Sequence, residues 1–224
     1  MTGEPFPPTY FLDRQQNNPL RLQQFRLDGK FLHNHVDFTG RICDVGCSTG
    51  EFLQTIGWKG ERFGMEISPY AMEQAQLAGF DFSRSIFSEV EFFDAVLFRG
   101  SLQHVDNPFS MLKAAFNSLK PGGKLFVLSF PNTRSPLYLA TQDLPFLDDA
   151  TNYLLASPKI LSNAMRNFGY SIVQVDFPYW RTPYRRLVFD HAAYIWNLMP
   201  FTRFVPHAFW RSQLAIVAEK PMPD

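Results

Sequence analysis

Between Arg41 and Phe130 short apolar runs alternate with segments of helical character, the pattern of parallel strands joined by crossover helices. The runs are Ile42 to Val45, Arg62 to Ile67, Asp81 to Ser85, Ala95 to Phe98 and Lys124 to Phe130. Two of the intervening helices have readable starts. Ser68-Pro69 and Asn107-Pro108 each set a capping side chain before a proline, so helices are predicted to begin at Pro69 and Pro108. Pro121-Gly122-Gly123 reads as the stop of the second, since proline cannot continue a helix and glycine tolerates the reversal into the next strand. Past Phe130 the alternation loosens. Ser157-Pro158 opens a helix to about Phe168, and Tyr170 to Phe177 and Gln213 to Glu219 read as strands. The stretch from Pro178 to Trp210 is too long and too aromatic for a hairpin loop and is expected to govern substrate choice. Residues 1–40 read as a polar, irregular N-terminal cap, with a loop from Gln15 to Pro19 and a loosely amphipathic helix from Leu20 to Leu32.

Composition removes several classes. A chain of 224 residues fits one α/β domain with an appended cap. With 46% hydrophobic residues and 24 phenylalanines it can bury a large core, which excludes a disordered or low-complexity chain. Its 21 basic and 21 acidic residues cancel, so no overall field draws it to nucleic acid or anionic lipid. Cys43 and Cys47 lack the spacing of a zinc site or a disulfide framework, and a reducing, cytoplasmic setting is expected. Met1 to Pro8 holds Glu4 and three prolines where a signal peptide needs a basic start and an apolar run. No uninterrupted apolar stretch approaches the roughly 18 residues of a membrane span.

The most informative segment runs from Arg41 to Leu53: an apolar strand, a glycine bend and a helix start. Gly46 lets the backbone pass close to a ligand, and the helix start presents unpaired N–H groups. Asp44, at the end of the strand, turns a carboxylate toward the crevice in which open α/β sheets bind ligands. Ser48 and Glu51 stand where a dinucleotide fingerprint has its second and third glycines, which weakens a nicotinamide reading. A carboxylate so near the bend disfavours pyrophosphate and favours a ligand carrying ammonium or sulfonium charge. Glu66 follows Gly46 by 20 residues, at the end of the second run. A carboxylate there accepts hydrogen bonds from both hydroxyls of an adenosine ribose.

Four features in order over roughly Arg41 to Phe130 resemble the class I S-adenosylmethionine-dependent methyltransferases. They are Asp44-Val45-Gly46-Cys47-Ser48-Thr49-Gly50, then Glu66, then Asp94 to Pro108 with its Gln103-His104-Val105-Asp106-Asn107-Pro108 end, and last Leu119-Lys120-Pro121-Gly122-Gly123-Lys124-Leu125. The resemblance implies a Rossmann-like α/β fold: a doubly wound, mostly parallel seven-stranded sheet with its final strand antiparallel, and S-adenosyl-L-methionine as cofactor. It implies that Asp44 and Gly46 line the methionine portion, with Cys47, Ser48 and Gly50 of the bend beside them. Glu66 would hold the ribose, Ile67 pack on the adenine, and Arg99 and Gly100 bring a backbone carbonyl near the cofactor's amino group. Members often carry an acid after the third strand for the adenine amino group. This chain has Ser85-Ile86-Phe87 there, so Ile86 and Phe87 are expected to give an apolar contact instead. The architecture expected is a cap segment 1–40 and a domain 41–224, with acceptor-side insertions at 131–157 and 178–210.

Methyl transfer from a sulfonium is an in-line displacement with an activated leaving group, so alignment and exclusion of water contribute most. An alcohol acceptor still gains from a general base. His104, following the fourth run, is the candidate, the alternative being a cap or packing residue for the helix at Pro108. Arg99 pairs either with Asp44 or with an anionic acceptor on this reading. His33, His35, His191 and His207 are scattered, and Asp106 stands apart from Asp143, Asp148 and Asp149, so no metal site is indicated. Asn132 is either an acceptor contact or a turn residue. The aromatic rings and arginines of 178–210 suit a phosphorylated or acidic sugar; Leu187 to Met199 also suits an interfacial helix on a lipid leaflet, and the rings also suit a plain cover for the sheet. The expected activity is methylation of a hydroxyl on a small molecule, a sugar, nucleotide sugar or other glycan precursor, with no nucleic-acid partner. The alternatives are a lipid or quinone methyltransferase, and a non-catalytic module that binds the cofactor for regulation.

Overall fold

The structure is a computed structural model that describes residues 6–15, 18–144, 147, 151–197 and 210–223. Seven strands form one sheet: β1 (Ile42–Val45), β2 (Arg62–Met65), β3 (Phe80–Asp81), β4 (Phe93–Arg99), β5 (Leu119–Pro131), β6 (Ser171–Asp176) and β7 (Gln213–Glu219). Their order across the sheet is β3-β2-β1-β4-β5-β7-β6. β7 runs antiparallel to β5 and β6, while the pairs from β3 through β5 are parallel. The order reverses between β1 and β4, where a doubly wound sheet leaves its ligand crevice.

Side chains alternate between the two faces of a strand, and here each face has its own core. From β4, Val96 and Phe98 join Leu112 and Ala115 of α5 (Pro108–Ser118) and Leu161 and Met165 of α7 (Pro158–Asn167). Ala95 and Leu97 point the other way, to Phe25 and Leu32 of α2 (Pro19–His33), Phe52 and Leu53 of α3 (Glu51–Ile56) and Ala75 of α4 (Pro69–Leu77). β5 repeats the division, with Leu125 and Val127 on one face and Phe126 and Leu128 on the other. Strands buried on both faces need continuous apolar runs, which is why these were legible. β6, at the sheet edge, alternates exposed and half-buried positions instead.

Several expectations are revised. Pro121-Gly122-Gly123 does not stop α5. The helix has ended at Ser118, Leu119 already pairs with Phe93, and the ladder breaks over the Pro-Gly-Gly segment before resuming between Lys124 and Ala95. Gly122 adopts φ +78° there and donates its N–H to Lys220 O at 2.7 Å. α4 starts at Pro69 as expected, but the Ser68 side chain makes no cap; its hydroxyl donates to Phe6 O at 3.3 Å. Asn107 does cap α5, its Oδ1 accepting from Ser110 N at 3.0 Å. β3 keeps only Phe80 and Asp81, and the chain from 82 to 92 has no strand. The N-terminal region is more regular than its polarity suggested: α1 (Pro8–Gln15) precedes α2. In the aromatic stretch a single 3-10 turn, Pro178–Arg181, leads to α8 (Leu187–Asn197); the remainder of that insertion, 198–209, lies outside the described residues. A short helix, α6 (Pro136–Thr141), follows β5.

Candidate functional site

The C-terminal ends of β1, β2 and β4 open on a cavity of about 670 Å³, within the size range of small-molecule sites. Its floor is the glycine bend after β1. Gly46 sits at φ +77°, and a Cβ there would lie 2.6 Å from Ser101 Cβ, so both the conformation and the space require glycine. The bend is tied to each neighbouring strand. Gly46 N–H donates to Met65 O at 2.7 Å on the β2 side, and Ser101 Oγ donates to Val45 O on the β4 side. Gly50, also left-handed, does not line the cavity; it shapes the entry to α3, where a Cβ would meet the Phe80 ring at 2.7 Å.

Two carboxylates flank the bend. Glu66 Oε2 accepts from Ser48 N at 2.9 Å, and Oε1 accepts from Ile67 N at 2.8 Å and Ser68 N at 3.1 Å. A carboxylate has about four lone-pair positions, so Glu66 holds the bend and keeps acceptor capacity toward the cavity it lines. Asp44 is 3% exposed. Burial pushes its carboxyl up to about 7; the Arg99 charge opposes this and the Glu66 charge adds to it. Among the described residues no donor hydrogen-bonds the Asp44 carboxylate. A buried carboxylate without a partner is costly when charged, and a cationic group brought into the cavity relieves that cost. The residues therefore fit a sulfonium nucleoside: Asp44 for its positive amino acid end, Glu66 for ribose hydroxyls, and the exposed Ile67 with the partly buried Met72 and Phe82 for a flat ring.

The other wall comes from the N-terminal helices. Phe6, Tyr10 and Phe11 at α1 and Arg21 and Phe25 of α2 line the cavity, residues the sequence reading did not single out. The signal available was weak, a Pro-Pro pair followed by Tyr10-Phe11. Arg99 does not form an ion pair with Asp44. Its Nε and a terminal nitrogen reach Asp28 Oδ2 of α2 at 2.9 and 2.7 Å, and its guanidinium lies 4.4 Å from the Phe25 ring centre and 4.8 Å from that of Phe52. Arg21 pairs with Glu51 at the start of α3. α2 is thus strapped across the cavity by two ion pairs with Phe25 between them.

His104 ends a 3-10 turn, Leu102–His104, on the far rim. It does not cap α5, a role taken by Asn107. Its Nδ1 is 2.9 Å from Thr151 Oγ1 and 3.3 Å from Thr151 O, and its Nε2 is 3.2 Å from the Gln103 amide nitrogen. Val105, Asp106 and Met111 continue that rim.

Of the remaining candidates, Cys47, Ser48 and Gly100 line the cavity. Burial, then the charges of Asp44 and Glu66, pushes the Cys47 thiol well above the ordinary range, so it is no nucleophile. Ile86 and Phe87 are not cavity residues: Ile86 is sealed in the core and Phe87 projects outward, 58% exposed, while Phe82 and Ser85 from the same loop face the site. Asn132 is fully buried away from it, donating to Arg211 O at 2.7 Å and accepting from Arg134 N at 2.9 Å. Among the described residues, the 178–210 segment contributes nothing to the cavity lining, and no group of three or more His, Cys, Asp and Glu is placed to hold a metal ion.

The methyltransferase domain family matches residues 14–175 of this chain. The ubiquinone biosynthesis O-methyltransferase of Xanthomonas oryzae pv. oryzae is 29% identical over 136 residues, covering 55% of this chain and 54% of that protein. The protein of the same name from Idiomarina loihiensis is 29% identical over 123 residues, 49% of this chain and 48% of its own. The chain thus spans about half the length of the curated relatives it matches. Among solved structures, an S-adenosylmethionine-dependent methyltransferase from Archaeoglobus fulgidus superposes with a TM-score of 0.67 over 96% of this chain and 100% of that one, at 18% identity. The cyclase SpnF superposes with a TM-score of 0.61 over 89% of this chain and 82% of its own, at 20% identity. At such identities the likeness is one of fold. With the ordered motifs, the reversal of strand order and the match over most of its length, the chain belongs to the methyltransferase domain family, in its class I, S-adenosylmethionine-dependent form.

Proposed function

We propose that the protein transfers a methyl group from S-adenosylmethionine to a hydroxyl of a small molecule. The observation that supports this most is the pair of carboxylates, Asp44 and Glu66, on either side of the Gly46 bend in a cavity that also holds His104. When bound, the cofactor supplies an activated methyl on a sulfonium. The chain's own contribution is placement: Asp44 and Gly46 at the methionine end, Glu66 at the ribose, Ile67, Met72 and Phe82 around the adenine. His104 takes the proton of the acceptor hydroxyl as the oxygen gains the methyl. α1 and α2 keep water from the reacting oxygen.

For the acceptor, the rim favours an apolar, aromatic molecule bearing a hydroxyl. Phe6, Tyr10, Phe11 and Phe25 supply ring faces, and both cavity arginines already have carboxylate partners in Glu51 and Asp28. The ubiquinone-pathway name carried by the relatives agrees with a phenolic or quinol substrate. A sugar or glycan acceptor draws its support from the arginines of 178–210. Among the described ones Arg181 pairs with Asp176, Arg185 stacks on Trp180 and Arg186 on Phe189.

Calorimetric titration with S-adenosylhomocysteine tests the cofactor assignment. Binding is expected for the wild-type protein and a loss of about tenfold or more in Glu66→Ala; undiminished binding by that variant would remove the basis of the reading. His104→Ala is expected to keep cofactor affinity and to slow turnover by about 10² or more. Incubation of a cell extract with isotopically labelled cofactor, followed by mass spectrometry of the organic and aqueous phases, separates a phenolic product from a methylated sugar.

A further inference from the structure

The geometry points to Gln103 as a positioning residue that fixes the tautomer of His104 and keeps its Nε2 lone pair available, an inference that rests on the reading of His104 as the base. Gln103 is 5% exposed and directly precedes His104 in the 3-10 turn. Its amide nitrogen lies 3.2 Å from Gly100 O and 3.2 Å from His104 Nε2. A carbonyl oxygen only accepts, so the end of the amide turned toward Gly100 is the NH₂ group. Its second hydrogen points to His104 Nε2, which therefore accepts and carries no proton. The proton of the neutral ring is on Nδ1, where the Thr151 carbonyl and hydroxyl oxygens receive it.

The reverse orientation of the amide would press its oxygen against the Gly100 oxygen, two acceptors in contact. The orientation present leaves Gln103 Oε1 buried with no hydrogen-bond partner among the described residues. A buried acceptor left unpaired is costly and marks a constraint elsewhere; here the constraint is the pair of donations to Gly100 and His104. The backbone of the same residue arranges the other edge of the ring. Gln103 O accepts from Tyr153 N at 2.7 Å and Leu154 N at 3.3 Å, which holds the segment carrying Thr151 against His104.

When an acceptor hydroxyl replaces the amide at Nε2, the amide retains Gly100 O as its partner. The charged groups that share the cavity with His104 are Asp44, Glu51, Glu66 and Asp106, and Arg21 and Arg99. All of them are unchanged in any Gln103 variant, so a change in His104 titration reports on position 103.

The test is nitrogen NMR of the full chain carrying ¹⁵N-histidine, with His104→Gln identifying the resonances. The wild-type protein is expected to show the Nδ1–H tautomer. In Gln103→Glu the carboxylate accepts from Nε2–H, raising the His104 pKa by about one unit or more and moving the acid limb of kcat/KM upward with it, while S-adenosylhomocysteine affinity stays constant. In Gln103→Leu the two tautomers are expected to mix. An Nε2–H tautomer in the wild type, or the same titration in Gln103→Glu as in the wild type, overturns the inference. If Gln103→Glu does not fold, retention of the pure Nδ1–H form in the uncharged Gln103→Leu overturns it equally. The NMR measurement involves no turnover, so failure of the base reading appears in the His104→Ala rate and failure of this inference in the nitrogen shifts.

Discussion

Asp44 is a carboxyl buried to 3% exposure at the end of β1. Its folded value of about 7 lies above the ordinary 3.9 or so of an unfolded aspartate, so the ligand-free protein holds a proton that the unfolded chain has released across the interval between. Stability contributed by this group is therefore fully present below about pH 4 and lost as pH rises toward 7. Asp44→Asn, which keeps the shape without the charge, is expected to unfold at higher denaturant than wild type at pH 8, by at least about 1 kcal/mol. Below about pH 4 the advantage should shrink toward zero; a difference independent of pH would count against the buried, uncompensated carboxylate. Much of this site was readable in advance, because Asp44, Gly46 and Glu66 are held at strand ends and their spacing follows from strand and helix lengths. Ile86 and Phe87 were misplaced for the opposite reason. The chain from 82 to 92 has no strand period to say which side chain faces inward.

The bend after β1 shows how a short segment is fixed by its neighbours. Gly57 and Gly46 share nearly the same φ, +74° and +77°, but among the described residues a Cβ at Gly57 meets nothing within 4 Å while one at Gly46 meets Ser101. Gly57→Ala is expected to cost only the conformational strain, about 1 kcal/mol. Gly46→Ala should cost about 1–3 kcal/mol more and displace the Val45–Ser101 contact, abolishing cofactor binding. Equal denaturation midpoints for the two variants would show that the Ser101 contact has slack. α5 and α7 were predictable from Asn107-Pro108 and Ser157-Pro158, whose side chains do cap at Ser110 and Ile160. Ser68-Pro69 carries the same local signal, yet its hydroxyl is drawn to Phe6 O, 62 residues away. A cap and a long-range acceptor compete for one hydroxyl, and residue order alone does not rank them.

Two apolar cores clasp the sheet between them, and the cavity lies where strand order reverses, closed on one side by α1 and α2. Because the cavity exists only in the folded chain, its ligand should stabilise the whole molecule. S-adenosylhomocysteine at about 100 times its Kd is expected to add about 2.7 kcal/mol, a rise in Tm of about 5–10 °C for a chain of this size. No shift under saturating conditions would separate the cavity from the cofactor. The doubly wound sheet, the glycine bend and its two acids were settled by residue order, since strand burial imposes apolar runs and a βαβ unit brings consecutive strand ends together. The N-terminal wall, the Arg99–Asp28 strap, the exclusion of 178–197 from the cavity lining and the grip of Gln103 on His104 depended on chain packing. They join positions such as 28 and 99, or 104 and 151, whose meeting is set by how helices settle on the sheet and leaves no periodic trace along the chain.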